Sequence, residues 1–267
     1  MVIACVAVRM HSTRLPRKAF ADIHGRPLIG RLVDRLRAAR RLDRIVICTS
    51  SHPDDDVLLR FAETEGLEAV AGSERDVLSR FTAAAARFGA SAVVRVTGDN
   101  VLTDPGILDQ LVTRHVAAAA DYTRANGLPL GAAPEVLSAA MLPRLHDLMP
   151  DPNESEYLML YAFDPAAFRC EVLPVPEHLR RPYYSVSVDT PADLELVRGL
   201  YRLADQQPTG PSLEQIVRAL DAHPPASRLT DATPIRMPGG RTRPYGELLA
   251  MLEERARAAG EKPARPA

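Results

Sequence analysis

VIACVAVRMHSTRLPRK (residues 2–18) joins an apolar run to a cationic loop. Residues 2–8 carry no charge, the pattern of a strand covered on both faces. Residues 9–18 then gather Arg9, Arg14 and Lys18 with the hydroxyls of Ser12 and Thr13 and a rigid Pro16. Open α/β sheets bind their ligands at the carboxyl ends of their strands, where this loop would stand. Guanidinium groups grip phosphate through paired, charge-assisted bonds, so the loop reads as a polyphosphate site rather than a solvated basic turn. Lys18 is placed to neutralise charge developing on a transferring phosphoryl group.

The same alternation continues outward. PLIGRLVDRLRAA (27–39) sets Leu28, Ile29, Leu32, Val33 and Leu36 on one stripe with arginines opposite, which predicts a helix. RIVICTS (44–50) predicts a second buried strand, and DDDVLLRFAETEG (54–66) a helix opened by acids and stopped at Gly66. LEAVAG (67–72), DVLSRFTAAAARFG (76–89), SAVVRVTGD (91–99) and PGILDQLVTRHVAA (105–118) continue as strand, helix, strand and helix. This rhythm predicts an α/β fold built on a doubly wound, mostly parallel, Rossmann-like sheet with right-handed crossovers. Residues 120–180, rich in proline, break the rhythm and are expected to form an antiparallel excursion holding the second substrate's pocket. Residues 183–204 resume it, with Tyr184, Val186 and Val188 alternating as a strand before a helix begun by Pro191. Beyond lie a helix over 212–223, a loop over 224–244, a helix over 245–259 and a disordered tail over 260–267. The expected organisation is one domain over 1–204 with a helical extension over 205–259.

The 267 residues are 46% hydrophobic, enough for a substantial core, and the formal net charge is -1. A global basic field for nucleic acid is therefore lacking, and positive charge is local, which suits a small anion. Three widely spaced cysteines, Cys5, Cys48 and Cys170, give neither a disulfide framework nor zinc spacing. No apolar run approaches the roughly 18 residues of a membrane span, and the amino terminus lacks a signal-peptide layout. A soluble, reducing, cytoplasmic setting is expected.

Further positions carry chemistry. Asp99, in RVTGDNVLTDP (95–105), ends a buried strand, where a carboxylate can hold a divalent cation against phosphates. Asp104, just before Pro105, reads instead as a helix cap. Asp189, in SVSVDTPADLELV (185–197), also ends a strand, and the two make a plausible metal pair if those strands are neighbours. Asp193 in the following first turn serves the helix dipole. In AGSERDVLSRF (71–81), Ser73, Arg75 and Asp76 form either a helix cap or a contact to nucleobase or ribose, and spacing alone leaves both open. Thr49 and Ser50 end the second strand within reach of a base. His52 receives no role, and His11, inside the phosphate loop, is either a phosphate contact or a spacer and stays outside the catalytic set.

Four of these motifs, in this order, resemble the nucleotide-sugar cytidylyltransferases, most closely the spore-coat polysaccharide type, beside the acylneuraminate and 3-deoxy-manno-octulosonate activating enzymes. The motifs are VRMHSTRLPRK (8–18), GSERDVLSRF (72–81), RVTGDNVLTDP (95–105) and VDTPADL (188–194), and the resemblance covers about residues 1–204. It implies a Mg²⁺-dependent enzyme that transfers CMP from CTP to an acidic or hydroxylated small molecule and releases pyrophosphate. It implies a nucleotide site of Arg9, Met10, Ser12, Arg14, Lys18, Thr49, Ser73, Arg75, Asp76, Thr97 and Asp99. Lys18, Arg9 and Asp99 would carry the chemistry, and Asp99 and Asp189 the metal. It implies acceptor contacts at Gly131, Glu135 and Glu156, and a homodimer formed through residues 120–180.

The acceptor side departs from the family pattern. Asn100 and Val101 replace Cys-Pro, Ala133 stands where an acid is common, and SEYL (155–158) keeps Glu156 but lacks the usual Arg and His. Other readings are a nucleotidyltransferase using another triphosphate on a sugar phosphate or phosphonate, and a non-catalytic nucleotide-binding protein. A glycosyltransferase would show an Asp-x-Asp motif after a strand, which DDD (54–56) and GDN (98–100) do not supply.

Overall fold

The computed structural model describes residues 1–261 apart from Thr13, Asp205, Gln206 and Pro208. The Thr13 hydroxyl and the expected tail beyond residue 261 lie outside the described residues. The first half alternates β1 (Val2–Ala7), a small hairpin of β2 (Asp22–Ile23) and β3 (Arg26–Pro27), α1 (Leu28–Arg37), β4 (Arg44–Ser50), α2 (Asp56–Thr64), β5 (Glu68–Gly72), α3 (Val77–Phe88), β6 (Ala92–Thr97) and α4 (Pro105–Ala117). The second half adds β7 (Tyr122–Ala125), β8 (Glu135–Ser138), α5 (Met141–Leu148), α6 (Met159–Ala162), β9 (Cys170–Leu173), α7 (Pro191–Tyr201), α8 (Leu213–Ala222), β10 (Pro234–Arg236), β11 (Thr242–Pro244) and α9 (Tyr245–Glu261).

Seven strands form one sheet in the order β5-β4-β1-β6-β8-β7-β9. The first four run parallel, and β8 alone is antiparallel to its neighbours. That reversal is the antiparallel excursion expected of residues 120–180. The central strands are rich in apolar residues because each face has its own core. Ala4, Val6 and Val8 face Leu28, Ile29, Leu32 and Leu36 of α1 in one core. Ile3 and Cys5 face Leu78, Phe81 and Ala84 of α3 in the other. All three cysteines are buried.

Two expectations are corrected. Residues 183–188 join the sheet nowhere: one bridge, Leu130 to Ser185, replaces a ladder. Tyr184, Val186 and Val188 are buried as their alternation requires. The backbone of this segment bonds to scattered partners, Arg181, Leu229, Leu130 and Asp99, rather than to a neighbouring strand, so inward packing rather than strand pairing produces the pattern. The expected loop over 224–244 contains the β10–β11 hairpin, turned by Gly239 and Gly240 at φ 73° and 69°. Its prolines hid the strands, since Pro234 pairs with Pro244 where ladder donors are not needed.

The C-terminal segment is built into both cores. Leu213, Ile216, Val217 and Leu220 of α8 enter the first, and Leu252 of α9 the second. Gly260 and Glu261, expected in the tail, end α9. Arg35, 1% exposed, donates to the carbonyls of Thr103 and Pro211 and so ties α1 to this segment.

His115 of α4 is 4% exposed and bonded to Thr123 Oγ1 at 2.9 Å, and burial pushes its pKa down to about 4. The unfolded chain therefore takes up a proton that the folded chain refuses, and stability falls as pH drops from 6.5 towards about 4. The loss is bounded at ~3 kcal/mol by the size of the shift. Thermal melts between pH 7 and 4.5 should show it, and His115→Gln should flatten the slope. An unchanged slope would remove His115 as its source.

Candidate active site

The loop after β1 is held from below. Asp55, 1% exposed, accepts the backbone N–H of Met10 at 2.7 Å, the N–H of Ser50 at 3.1 Å and the Ser50 hydroxyl. Burial alone would raise its pKa, but these donors outweigh burial and hold the carboxyl below its ordinary value. Asp55→Ala would strand those donors in the interior, at a cost of about 2–3 kcal/mol. It should also raise the nucleotide KM more than it lowers kcat, because Met10 anchors the loop that carries Arg9 and Arg14. Loss of kcat alone would mean that the loop is positioned by something else.

Lys18 follows Arg17, whose left-handed φ of 57° turns the chain into a short 3-10 helix over Lys18–Phe20. The ammonium, 16% exposed, donates to Asp99 Oδ2 at 2.8 Å, Asp189 Oδ1 at 3.0 Å and the Val188 carbonyl at 3.0 Å. Arg14 reaches the same Asp189 oxygen at 2.9 Å. Two aspartates 90 residues apart in sequence thus converge on one cation. They are not on neighbouring strands. Asp99 lies just past β6, and Asp189 on an extended segment joined to it by the Val188 N–H on the Asp99 carbonyl at 3.0 Å. Burial opposes both charges, but their attraction prevails: the Lys18 pKa is raised and the Asp99 pKa lowered, with Thr97 donating to the latter.

Local sequence sets this geometry. Gly98 admits β1's exit, since a Cβ there would stand 2.7 Å from the Val8 side chain. Thr190 and Asp193 form a capping box on α7, and Asp193 Oδ2 also accepts the Asp189 N–H at 3.1 Å. Asp193, read from sequence as serving the dipole, fixes the backbone of the aspartate before it.

Other expected nucleotide contacts divide. Arg9 places Nη1 on the Glu74 carbonyl at 3.4 Å and Nη2 3.7 Å from Glu156. Ser12 closes the loop by accepting the Leu15 N–H at 3.4 Å. Ser73 and Arg75 are exposed beyond β5. Three other side chains of that set engage the protein itself. Met10 packs into the first core and offers the loop only its backbone. Thr49 is fully buried and presents no surface to a base. Asp76 caps α3 through the Ser79 N–H at 2.9 Å and pairs with His146 at 2.9 Å, so the cap reading holds.

The acceptor-side residues are not one cluster. Gly131, at φ +88°, lies against Ser187 and Asn100, where a Cβ would meet Ser187 Oγ at 2.7 Å. Ser187 donates to Asn100 Oδ1, beside Asp99. Glu135 sits in the sheet, accepting from Arg95 at 2.9 Å and from the Tyr122 hydroxyl at 2.7 Å. Glu156 gives its carbonyl to Arg95 at 3.2 Å and turns its carboxylate toward Arg9. Arg95, Glu135 and Arg124 stand in register across β6, β8 and β7.

The profile of a cytidylyltransferase family matches residues 3–206. The chain belongs to this cytidylyltransferase family. It is accordingly a nucleotidyltransferase enzyme, similar over 86% of its length to the spore coat polysaccharide biosynthesis protein SpsF of Bacillus subtilis (strain 168), at 32% identity and 98% coverage of that protein. In fold it resembles a cytidylyltransferase from Leptospira borgpetersenii serovar Hardjo-bovis (strain JB197), with TM-score 0.75 and 22% identity over 84% of this chain and 94% of that one. It also resembles a CMP:2-keto-3-deoxy-manno-octonic acid synthetase complexed with CTP, with TM-score 0.59 and 16% identity over 76% and 98% of the two chains.

Sequence reasoning missed several residues of this cytidylyltransferase. Asp55 is one of three successive aspartates, 54–56, and nothing local separates it from its neighbours. Arg80 and Arg95 lie inside quoted motifs, yet their carbonyl and carboxylate partners, Cys48 and Glu135, are distant in sequence.

Proposed function

We propose that this cytidylyltransferase transfers CMP from CTP to an acidic sugar or similar small acceptor, with Mg²⁺, in the cytoplasm. The observation that carries the reading is the convergence of Asp99, Asp189 and Arg14 on and around the Lys18 ammonium. A cation already bridges two carboxylates there, and Mg²⁺ favours one or two carboxylates completed by phosphate oxygens and water. The donor set therefore fits the metal, which Asp99 and Asp189 would hold and which would neutralise phosphate charge.

The residues of the chain supply the rest. Arg9, Ser12, Arg14 and Lys18 hold the triphosphate, with backbone positions set by Asp55. An acceptor oxygen attacks the α-phosphorus in line, the bond from that phosphorus to the bridging oxygen breaks, and pyrophosphate leaves. Lys18 neutralises the charge that accumulates on the departing oxygens. No protein nucleophile takes part. An anionic acceptor is favoured by the guanidinium row. Arg95 Nε and Arg124 Nη1 are buried without a hydrogen-bond partner among the described residues, and Glu135 stands in register between these two arginines.

Pyrophosphate release with each of the four triphosphates, against acidic sugars, sugar phosphates and phosphonates, tests the reading. CTP with an acidic sugar should give turnover. Turnover with another triphosphate alone would reject the base assignment, and none with any pair would reject the activity. We extend the proposal to a homodimer through residues 120–180, where Leu130 and Leu148 are exposed. A monomer in sedimentation would contradict it.

A further inference from the structure

His11, in the phosphate loop, and His52 and Asp54, in the connection from β4 to α2, come together although the loop's chemistry uses none of them. His11 Nε2 lies 3.1 Å from Asp54 Oδ2, and His52 Nδ1 lies 3.8 Å from that same oxygen. One donor atom from each residue falls within 4.8 Å of the others. The two imidazoles meet edge to face with centroids 4.7 Å apart. All three side chains reach solvent, at 53%, 39% and 62% exposure.

We propose that His11, His52 and Asp54 form a second metal site, distinct from Asp99 and Asp189, of the kind filled by Zn²⁺. Two imidazole nitrogens and one carboxylate oxygen suit a borderline metal, whereas Mg²⁺ and Ca²⁺ favour oxygen alone. Zinc bonds nitrogen and oxygen at about 2.0–2.2 Å, so neighbouring donors of a tetrahedral site stand roughly 3.4 Å apart. The observed separations of 3.1 and 3.8 Å bracket that edge, so small side-chain rotations complete the site. Water or a phosphate oxygen takes the fourth position. His52 Nδ1 presently accepts the Asp54 N–H at 3.2 Å, a long bond that the metal would replace.

The consequence is mechanical. Asp55 already pins the Met10 N–H from the same connection. A metal on His11, the next residue, would clip the loop a second time and restrict the segment that carries Arg9 and Arg14. Such a clip joins residues 41 apart and removes loop freedom that nucleotide binding would otherwise have to overcome.

The test uses the untagged, chelator-stripped full chain with no nucleotide. Zn²⁺ is titrated in competition with a chromophoric chelator, and Co²⁺ is followed by its visible absorption. One equivalent should bind, with a tetrahedral Co²⁺ spectrum. His11→Ala and His52→Ala should each weaken binding roughly tenfold or more, as loss of one of three protein ligands requires. Asp99→Asn should bind as the parent does. Equal melting temperatures of the metal-free variants would confirm that folding is intact. Absence of binding by the parent would overturn the proposal, as would binding that survives both histidine variants or is lost in Asp99→Asn.

Discussion

Asp99→Asn is expected to lower pyrophosphate release by about 10²–10³-fold while the protein stays folded, the scale of losing one electrostatic contact to the transition state. Asparagine keeps the volume of aspartate, and Lys18 keeps the Val188 carbonyl and Asp189. A quarter of the Asp99 side chain meets solvent, so the lost ion pair should cost no more than about 1 kcal/mol. What disappears is the negative charge that can hold a divalent cation opposite Asp189. The loss should therefore fall on kcat and on the metal concentration needed for half-maximal rate, with nucleotide KM little changed. Steady-state kinetics over a Mg²⁺ series reads both. Activity within threefold of the parent would reject the metal role of Asp99.

The pH dependence follows in sign. The folded pKa of Asp99 is lowered, so the stability from its pairing is present above the unfolded value of 3.8 and is lost as pH falls below it. Lys18 is raised, so its share is complete below 10.5 and is lost only as pH rises through the higher folded value. The pair stays charged across the neutral range. Any acid-side loss of stability between pH 6.5 and 4.5 must then come from groups such as His115.

Lys18→Ala should lower kcat by about 10²–10³-fold, with a much smaller change in nucleotide affinity, if the ammonium acts on charge that develops late in the reaction. Affinity loss alone would demote it to a binding residue. A second readout needs no turnover. Removing the ammonium leaves Asp99 and Asp189 facing each other, with Arg14 alone beside one of them. Like charges at that range disfavour each other. The variant should melt lower than the parent, by about 1–3 kcal/mol. Mg²⁺ alone should restore more of its melting temperature than it adds to the parent, because the cation replaces the missing charge. Equal Mg²⁺ shifts in the two proteins would mean that Lys18 and the metal do not share the carboxylates.

The legible elements were those in which local pattern and tertiary role coincide. β1 is apolar from end to end, and β4 and β6 carry runs of apolar residues, because both faces of the sheet are covered, and such runs are visible in a short window of sequence. Asp99 and Asp189 stood out because a carboxylate closing an apolar run has little structural reason to be there. Residues 183–188 misled for the opposite cause: alternating burial looks the same whether the partner is a strand or a packed core. Thr49 is fully buried at the end of β4, a burial its flanking residues do not reveal.

Local chemistry was thus enough to place the cationic loop, the parallel sheet that presents it and the acids meant to face it, because spacing and hydropathy are properties of neighbours along the chain. Folding alone settled which acid does what. Asp55 and Asp76 differ from Asp99 by their partners, Met10 and Ser50 for one, Ser79 and His146 for the next, Lys18 for the last. Except for Ser50 and Ser79, those partners lie 45 to 81 residues away, and a carboxylate's charge and function depend on the donors around it rather than on its flanking residues.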